Sequence, residues 1–130
     1  EIAEGKELPP QESINFSGHS IECRITAEDP ETFFPSPGTI EKWIAPGGKD
    51  VRIDSHSYAG YTVPMIYDSM IGKLIVKGHD RADAISRMRR ALSEFKITGI
   101  KTTIPFHLDM MNNKDFIDNN FDTKYLENRK

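Results

Sequence analysis

The strongest constraint on the fold is a stretch of alternating side chains at residues 18–30, which Pro30 ends. Three apolar residues alternate there with three polar ones: Ile21, Cys23 and Ile25 against Glu22, Arg24 and Thr26. Successive side chains of a strand point to opposite faces, so this period of two predicts a strand with one face in the core. The opposite face then carries Arg24 at its centre.

Arg24 has two interpretations on pattern alone. A mid-strand arginine is held more rigidly than one in a loop, which suits recognition of an anion or a polar carbonyl group. The alternative is an ordinary solvated face with an ion pair to Glu22 or Glu28. The pattern by itself favours this alternative, because paired surface charges are common and contribute little.

Bulk properties exclude several classes of protein. A chain of 130 residues fits one domain that can bury a core without metal or disulfide crosslinks. The 17 basic and 20 acidic side chains give a net charge of −3, which offers no electrostatic case for nucleic-acid binding. Cys23 is the single cysteine, so an internal disulfide is excluded and a reducing cytoplasm is predicted. No apolar run approaches the ~18 residues that span a bilayer, so no membrane association is predicted.

The strand signals continue beyond the first stretch. Strands are predicted at 39–44 and 51–55, joined as a hairpin by the glycine-rich loop 45–50. A buried strand is predicted at 74–76, and a short strand is possible at 13–16. Phe33 and Phe34 are predicted to plug the turn after the first strand into the core.

The clearest helix is predicted at 81–96, with Asp80 as its N-cap. Its apolar stripe falls at helical spacing on Ile85, Met88, Leu92 and Phe95, and its arginines at 87, 89 and 90 are predicted to be solvated. Further helices are predicted from 102 to 113 and at 114–119. Together these elements predict an α+β fold, a mainly antiparallel β-sheet with helices packed on one side.

The sequence argues against two kinds of site, a metal site and a cysteine nucleophile. His19 and Cys23 would lie on one strand face about 13 Å apart at ~3.3 Å per residue, whereas metal–ligand bonds are only about 2 Å long. No metal site is therefore predicted. Cys23 falls on the apolar side of its strand, where a thiol is a small inert hydrophobe. Two polar clusters remain: Arg24 with Glu22, Glu28 and Asp29, and Asp68 with Ser69 and Lys73.

Five blocks of sequence, in order, resemble the C-terminal domain of biotin carboxylase. The blocks are Gly18–Pro30, Phe34–Gly38, Tyr58–Pro64, Tyr67–Ile75 and Gly99–Thr103. Such domains also occur in acetyl-CoA, propionyl-CoA, pyruvate and related carboxylases. The resemblance implies an α+β domain at 18–130, preceded at 1–17 by the end of an ATP-grasp domain and a linker.

The resemblance also implies an activity. The family uses ATP, Mg²⁺ and bicarbonate to form carboxyphosphate and then carboxylates biotin on a carrier protein, which is ligase chemistry. Nucleotide and metal are held mainly by the upstream domain, so the chain is expected to be inactive alone. The implied partners are the biotin carboxyl carrier protein, a second copy of the chain and a carboxyltransferase subunit. The alternative is a non-catalytic dimerisation or carrier-docking domain of such a complex.

Site residues follow from the matched positions. The arginine matching Arg24 binds biotin and stabilises the enolate-like charge on its ureido oxygen. Asp68 and Arg52 match residues at or near the family's dimer interface, and Asp68 is expected either to help orient Arg24 or to pair with a charge across the two-fold axis. Thr123 and Lys124 fall where the family's C-terminal segment closes over the adenine. The family position matching Lys49 is often apolar, so that part of the interface is expected to differ.

Overall fold

The computed structural model describes residues 1–66 and 68–128, where six strands precede the first α-helix, and a seventh strand and three further helices follow it, in an α+β arrangement. The strands are β1 His19–Thr26, β2 Gly38–Thr39, β3 Lys42–Ile44, β4 Val51–Asp54, β5 Thr62–Val63, β6 Met70–Gly78 and β7 Lys96–Thr98. The helices are α1 Arg81–Glu94, α2 Ile104–Asn112, α3 Lys114–Ile117 and α4 Tyr125–Asn128. Tyr67, which belongs to one resemblance block, lies outside the described residues, as do the last two positions of the predicted 18–130 domain.

The predicted alternation is confirmed in β1. Ile21, Cys23 and Ile25 are at most 8% exposed, while the residues between them face outward. β1 pairs antiparallel with β6 along its whole length, and β4 pairs with the other edge of β6, giving the order β1–β6–β4. Two smaller antiparallel pairs, β2–β5 and β3–β7, complete the strands of the described region. The fold class is therefore as predicted, although the strands form three small sheets.

Helix α1 covers the inner face of this sheet. The Asp80 carboxylate accepts a hydrogen bond from the Asp83 N–H at 2.8 Å, which caps the helix as predicted. The predicted apolar stripe is buried in full: Ile85, Met88, Leu92 and Phe95. The helix ends at Glu94, two residues before the predicted end, because Lys96 begins β7.

The prediction that the α1 arginines are solvated was wrong for Arg87 and Arg89, which are half-buried, but Arg90 is exposed as predicted. Four arginines of the helix donate to backbone carbonyls of other segments: Arg81 to Phe116, Arg87 to Lys49, Arg89 to Met111 and Arg90 to Gly47. Their long apolar stems can lie along the protein surface while the guanidinium groups reach these carbonyls. The helix therefore anchors the loop before β4 and the segments around α2 and α3.

The predicted hairpin between the second and third strands was also wrong. β3 pairs with β7, and β4 pairs with β6, so the two strands belong to different sheets. Trp43 of β3 packs edge to face on Phe95 with ring centroids 5.0 Å apart, which draws β3 toward the end of α1. The glycine-rich loop spans the two sheets instead of turning back on itself.

The turn after β1 is held mainly by polar contacts. Phe33 and Phe34 are 45% and 72% exposed, contrary to the prediction that they plug the core, although the Phe33 ring packs edge to face on Phe106 with centroids 5.2 Å apart. Asp29 Oδ1 accepts the N–H groups of Glu31 and Thr32 at 2.9 and 3.0 Å, and Lys101 Nζ lies 2.6 Å from Oδ2. These donors hold the pKa of the Asp29 carboxyl well below its usual range.

Residues 1–17 contribute no buried side chain to this core. They contain two short 3₁₀ turns, Ile2–Glu4 and Gln11–Ser13, and the first ends at Gly5 in the left-handed region, as expected of a helix end. The possible strand at 13–16 is absent from this described segment, and Phe16 is 99% exposed.

Among the residues described, none of the helices has the length and apolar character required of a transmembrane segment.

A glycine pair tests the packing of α1 against β6. A Cβ added at Gly78 would lie 2.4 Å from the backbone nitrogen of Ala84, whereas one at Gly47 would meet nothing within 4 Å. We expect Gly78→Ala to lower the free energy of unfolding by about 1–3 kcal/mol, the usual cost of overpacking. Gly47→Ala, the matched control, should leave it unchanged or raise it by about 0.4–1 kcal/mol. Urea unfolding measures both, and equal values for the two variants would contradict this packing.

Candidate functional site

The candidate site lies on the outer face of the β1–β6–β4 sheet. In register, Arg24 of β1 is opposite Lys73 of β6, which is opposite Asp54 of β4. The next row toward the start of β1 places Arg52 on the same face, where its guanidinium lies 3.2 Å from Asp54. Charges of both signs therefore cover a surface whose reverse side is the apolar core.

Arg24 pairs with Asp68, and with neither of the two glutamates that the pattern suggested. Its Nη2 lies 3.9 Å from Asp68 Oδ2, and the two side chains are 60% and 68% exposed. At that distance the contact is an ion pair without a hydrogen bond, so the N–H donors of Arg24 are not committed to Asp68. The structure thus brings together two predicted site residues that are distant in the sequence.

The backbone of Arg24 is held from behind by helix α2. His107 Nε2 lies 2.8 Å from the Arg24 carbonyl oxygen, which requires the tautomer with its proton on Nε2. Burial lowers the pKa of His107, which favours this neutral form. Thr103, one helical turn earlier, accepts a hydrogen bond from the Thr26 N–H at 3.1 Å. The guanidinium therefore projects from a strand that is fixed on both of its edges.

Sequence reasoning missed the contacts of Thr103 and His107 with β1. The available signal was their spacing: residues four apart at the start of a predicted helix lie on one face. Nothing in that spacing indicates which strand the face contacts, because these partners are about 80 residues away in the chain.

The two predicted adenine-side residues lie in the C-terminal segment, which borders a groove beside β1 and α2. Thr123 lines a mainly apolar groove of about 270 Å³ between β1, α2 and the C-terminal segment. Lys124 lies in the turn before α4, where its N–H donates to the Asp122 carboxylate at 2.9 Å. His107 lines the same groove, so it contacts both this groove and the strand that carries Arg24.

The arrangement can bind an anion or a polar carbonyl oxygen at Arg24. A guanidinium fixed on a strand presents its donors without a large ordering cost, and Lys73 adds positive charge beside it. Cys23 is buried, and this burial raises the pKa of its thiol to about 12, which disfavours the reactive thiolate. Within 1–66 and 68–128, no three side chains of the His, Cys, Asp or Glu type converge on a metal position.

Comparison with known proteins gives the following similarities. The family described as "Biotin carboxylase C-terminal domain" matches residues 22–128. Biotin carboxylase 1 of Bacillus subtilis is 53% identical over 128 residues, which cover 97% of this chain and 28% of that protein. The 2-oxoglutarate carboxylase small subunit of Hydrogenobacter thermophilus is 50% identical over 128 residues, covering 97% and 27%. The chain thus spans less than a third of the length of these relatives.

A solved biotin carboxylase structure is also similar to this chain over nearly its whole length. The biotin carboxylase–β-γ-ATP complex from Campylobacter jejuni is 61% identical, with a TM-score of 0.90, and the match covers 98% of this chain and 28% of that one.

The burial of Cys23 predicts a slow thiol reaction. Alkylation by iodoacetamide at pH 8 should be at least about a hundredfold slower in the folded chain than in urea, because the thiolate is the reacting form. Mass spectrometry over time measures both rates. Equal rates in the two states would contradict a buried thiol on the inner face of β1.

Proposed function

The chain belongs to the family of biotin carboxylase C-terminal domains, and from that premise we propose that it is the C-terminal part of an ATP-dependent biotin carboxylase. The complete enzyme carboxylates carrier-bound biotin with bicarbonate, and its relatives include components of pyruvate and 2-oxoglutarate carboxylases. The final acyl or keto-acid acceptor is chosen by a carboxyltransferase subunit. By the same proposal, the enzyme is located in the cytoplasm.

The role of Arg24 is the centre of the proposal. Loss of the proton from biotin N1 places negative charge on the ureido oxygen, and a fixed guanidinium is most effective where charge develops. The observation that carries this role is the exposed guanidinium of Arg24, which makes an ion pair but no hydrogen bond with Asp68, on a strand whose backbone is held by His107. Asp68 orients the guanidinium through the ion pair without occupying its donors.

ATP and Mg²⁺ are assigned mainly to the upstream part of the enzyme, as an ATP-grasp domain would hold them. Residues 1–17 form the end of that domain and the linker, which agrees with their lack of buried side chains and with exposed apolar residues such as Phe16. Thr123, which lines the groove beside β1, is proposed to close over the adenine together with the adjacent Lys124, which does not line that groove. The gene sequence before Glu1 checks this assignment: a glycine-rich ATP-grasp loop and paired glutamates are expected there.

The outer sheet face is proposed as a homodimer interface. A two-fold axis lets each charge meet its opposite on a second copy, and this face carries both signs, with Arg52 beside Asp54. The biotin carboxylase domain of the Hydrogenobacter thermophilus 2-oxoglutarate carboxylase, 49% identical, was solved as a domain dimer. Lys49 adds a positive charge at a position of this interface where other members of the family often carry an apolar residue.

The second candidate is a domain that only dimerises or docks the biotin carboxyl carrier protein. Exposed apolar side chains in the loop before β6, Met65 and Ile66, favour a docking role. Analytical ultracentrifugation of the chain tests the interface, and biotin carboxylation by the complete protein decides between the candidates.

Substitution of Arg24 in the complete protein tests the proposed function. Arg24→Ala should lower kcat for biotin carboxylation by about a hundredfold or more, as for other groups that stabilise developing charge. Arg24→Lys should recover only part of the rate, because a lysine lacks the planar fork. The readouts are biotin carboxylation and, without biotin, bicarbonate-dependent ATP hydrolysis.

Lys42→Ala is the matched control, since Lys42 is an exposed strand cation in another sheet. This variant should behave as the parent does. Near-normal carboxylation by Arg24→Ala would refute the role given to Arg24. The chain alone, tested in the same assay, should show no bicarbonate-dependent ATP hydrolysis.

A further inference from the structure

A half-buried carboxylate connects the end of β1 to the loop before β6. Glu28 accepts a hydrogen bond from the Ser69 hydroxyl on one oxygen and from the Thr26 hydroxyl on the other, the latter at 3.1 Å. Within the described parts of the chain, no lysine or arginine nitrogen lies within 4.0 Å of it, so its partners are neutral hydroxyl groups. Glu28 therefore links the end of β1 to the loop before β6 by hydrogen bonds and not by an ion pair.

The connection occurs where the sheet register changes. Ile25 is opposite Gly72, but Thr26 is opposite Met70, so Ile71 is an extra residue on β6. Such a bulge bends its strand and re-aims nearby side chains. Ile71 is 1% exposed, which anchors the bulge in the core.

The bulge brings the loop alongside the end of β1. The Ala27 N–H donates to the Ser69 carbonyl oxygen at 2.7 Å, and the Met70 N–H donates to Asp68 Oδ1 at 2.8 Å. The other oxygen of that carboxylate, Oδ2, faces Arg24 at 3.9 Å. The position of Asp68 relative to the guanidinium is therefore set by the loop, and the loop is held to the strand partly through Glu28 and Ser69.

We infer that Glu28 and Ser69 are positioning residues for the reaction: their hydrogen bond holds Asp68 beside Arg24, although neither side chain contacts the guanidinium. The inference rests on the proposed function, because it acts through Arg24. In this inference, the hydrogen bond from Ser69 to Glu28 at the bulge sets the orientation of Arg24 through Asp68. Loss of this hydrogen bond should slow the carboxylation of biotin, because that step depends on the direction of the guanidinium.

The test uses Ser69→Ala, Ser69→Thr and Glu28→Gln in the complete protein. Ser69→Ala should lower kcat for biotin carboxylation by about tenfold to a hundredfold, the scale expected of a small misplacement of a reacting group. Bicarbonate-dependent ATP hydrolysis without biotin should stay near that of the parent. Ser69→Thr keeps the hydroxyl and should recover most of the carboxylation rate, and Glu28→Gln should lower it in the same selective way.

A double-substitution cycle separates positioning from a general structural role. In an Arg24→Ala background, Ser69→Ala should cost little further activity, because the group it positions is gone. Ser86→Ala, an exposed serine of α1, is the matched control and should leave both activities unchanged.

The outcomes distinguish the two proposals. Normal carboxylation by Ser69→Ala and Glu28→Gln, with Arg24→Ala strongly impaired, would overturn the positioning role and leave the proposed function standing. Equal losses of ATP hydrolysis and carboxylation, additive with Arg24→Ala, would also overturn it. Normal carboxylation by Arg24→Ala would overturn the proposed function itself.

Discussion

The pairing register of β1 with β6 decides which side chains of β1 enter the core and which face solvent. A slip by one residue would turn every β1 side chain to the other face, exposing Cys23 and Ile25 and driving Arg24 into the core. Burying an unpaired guanidinium is far more costly than leaving it exposed. The apolar half of the alternation therefore fixes the register, and the register in turn presents Arg24 on the outer face. The core and the proposed biotin site therefore use opposite faces of one strand.

That presentation is reinforced by polar contacts from three directions. Helix α2 holds the backbone of Arg24 through His107, and the bulge at Ile71 brings Asp68 to its guanidinium. Helix α1 holds the surrounding segments, because its arginines bind backbone carbonyls in the loop before β4 and in α2. The arginine hydrogen bonds of α1 are charge-assisted and therefore stronger than neutral ones, and they hold the segments around β1 in place. A guanidinium presented in this way needs little further ordering when a ligand binds.

Features with a local period could be predicted from the sequence, and features made by distant contacts could not. A spacing of two residues predicts the alternation of β1, and a spacing of three to four residues predicts the apolar stripe of α1. Both features are present in the structure. The hairpin prediction was wrong because β3 pairs with a strand more than fifty residues later. Pattern alone paired Arg24 with a neighbouring glutamate, whereas the fold supplies Asp68, a residue that only the family resemblance had connected to it. His107 gave no local signal of its contact with the Arg24 carbonyl.

By the proposed function, β1 presents Arg24 to the ureido oxygen of biotin. A crystal structure of the complete protein with biotin, bicarbonate and a nucleotide would reveal this contact. We expect a guanidinium nitrogen of Arg24 about 2.7–3.2 Å from the ureido oxygen, within hydrogen-bond distance. A ureido oxygen bound by other groups, with Arg24 still directed to Asp68 and solvent, would contradict it.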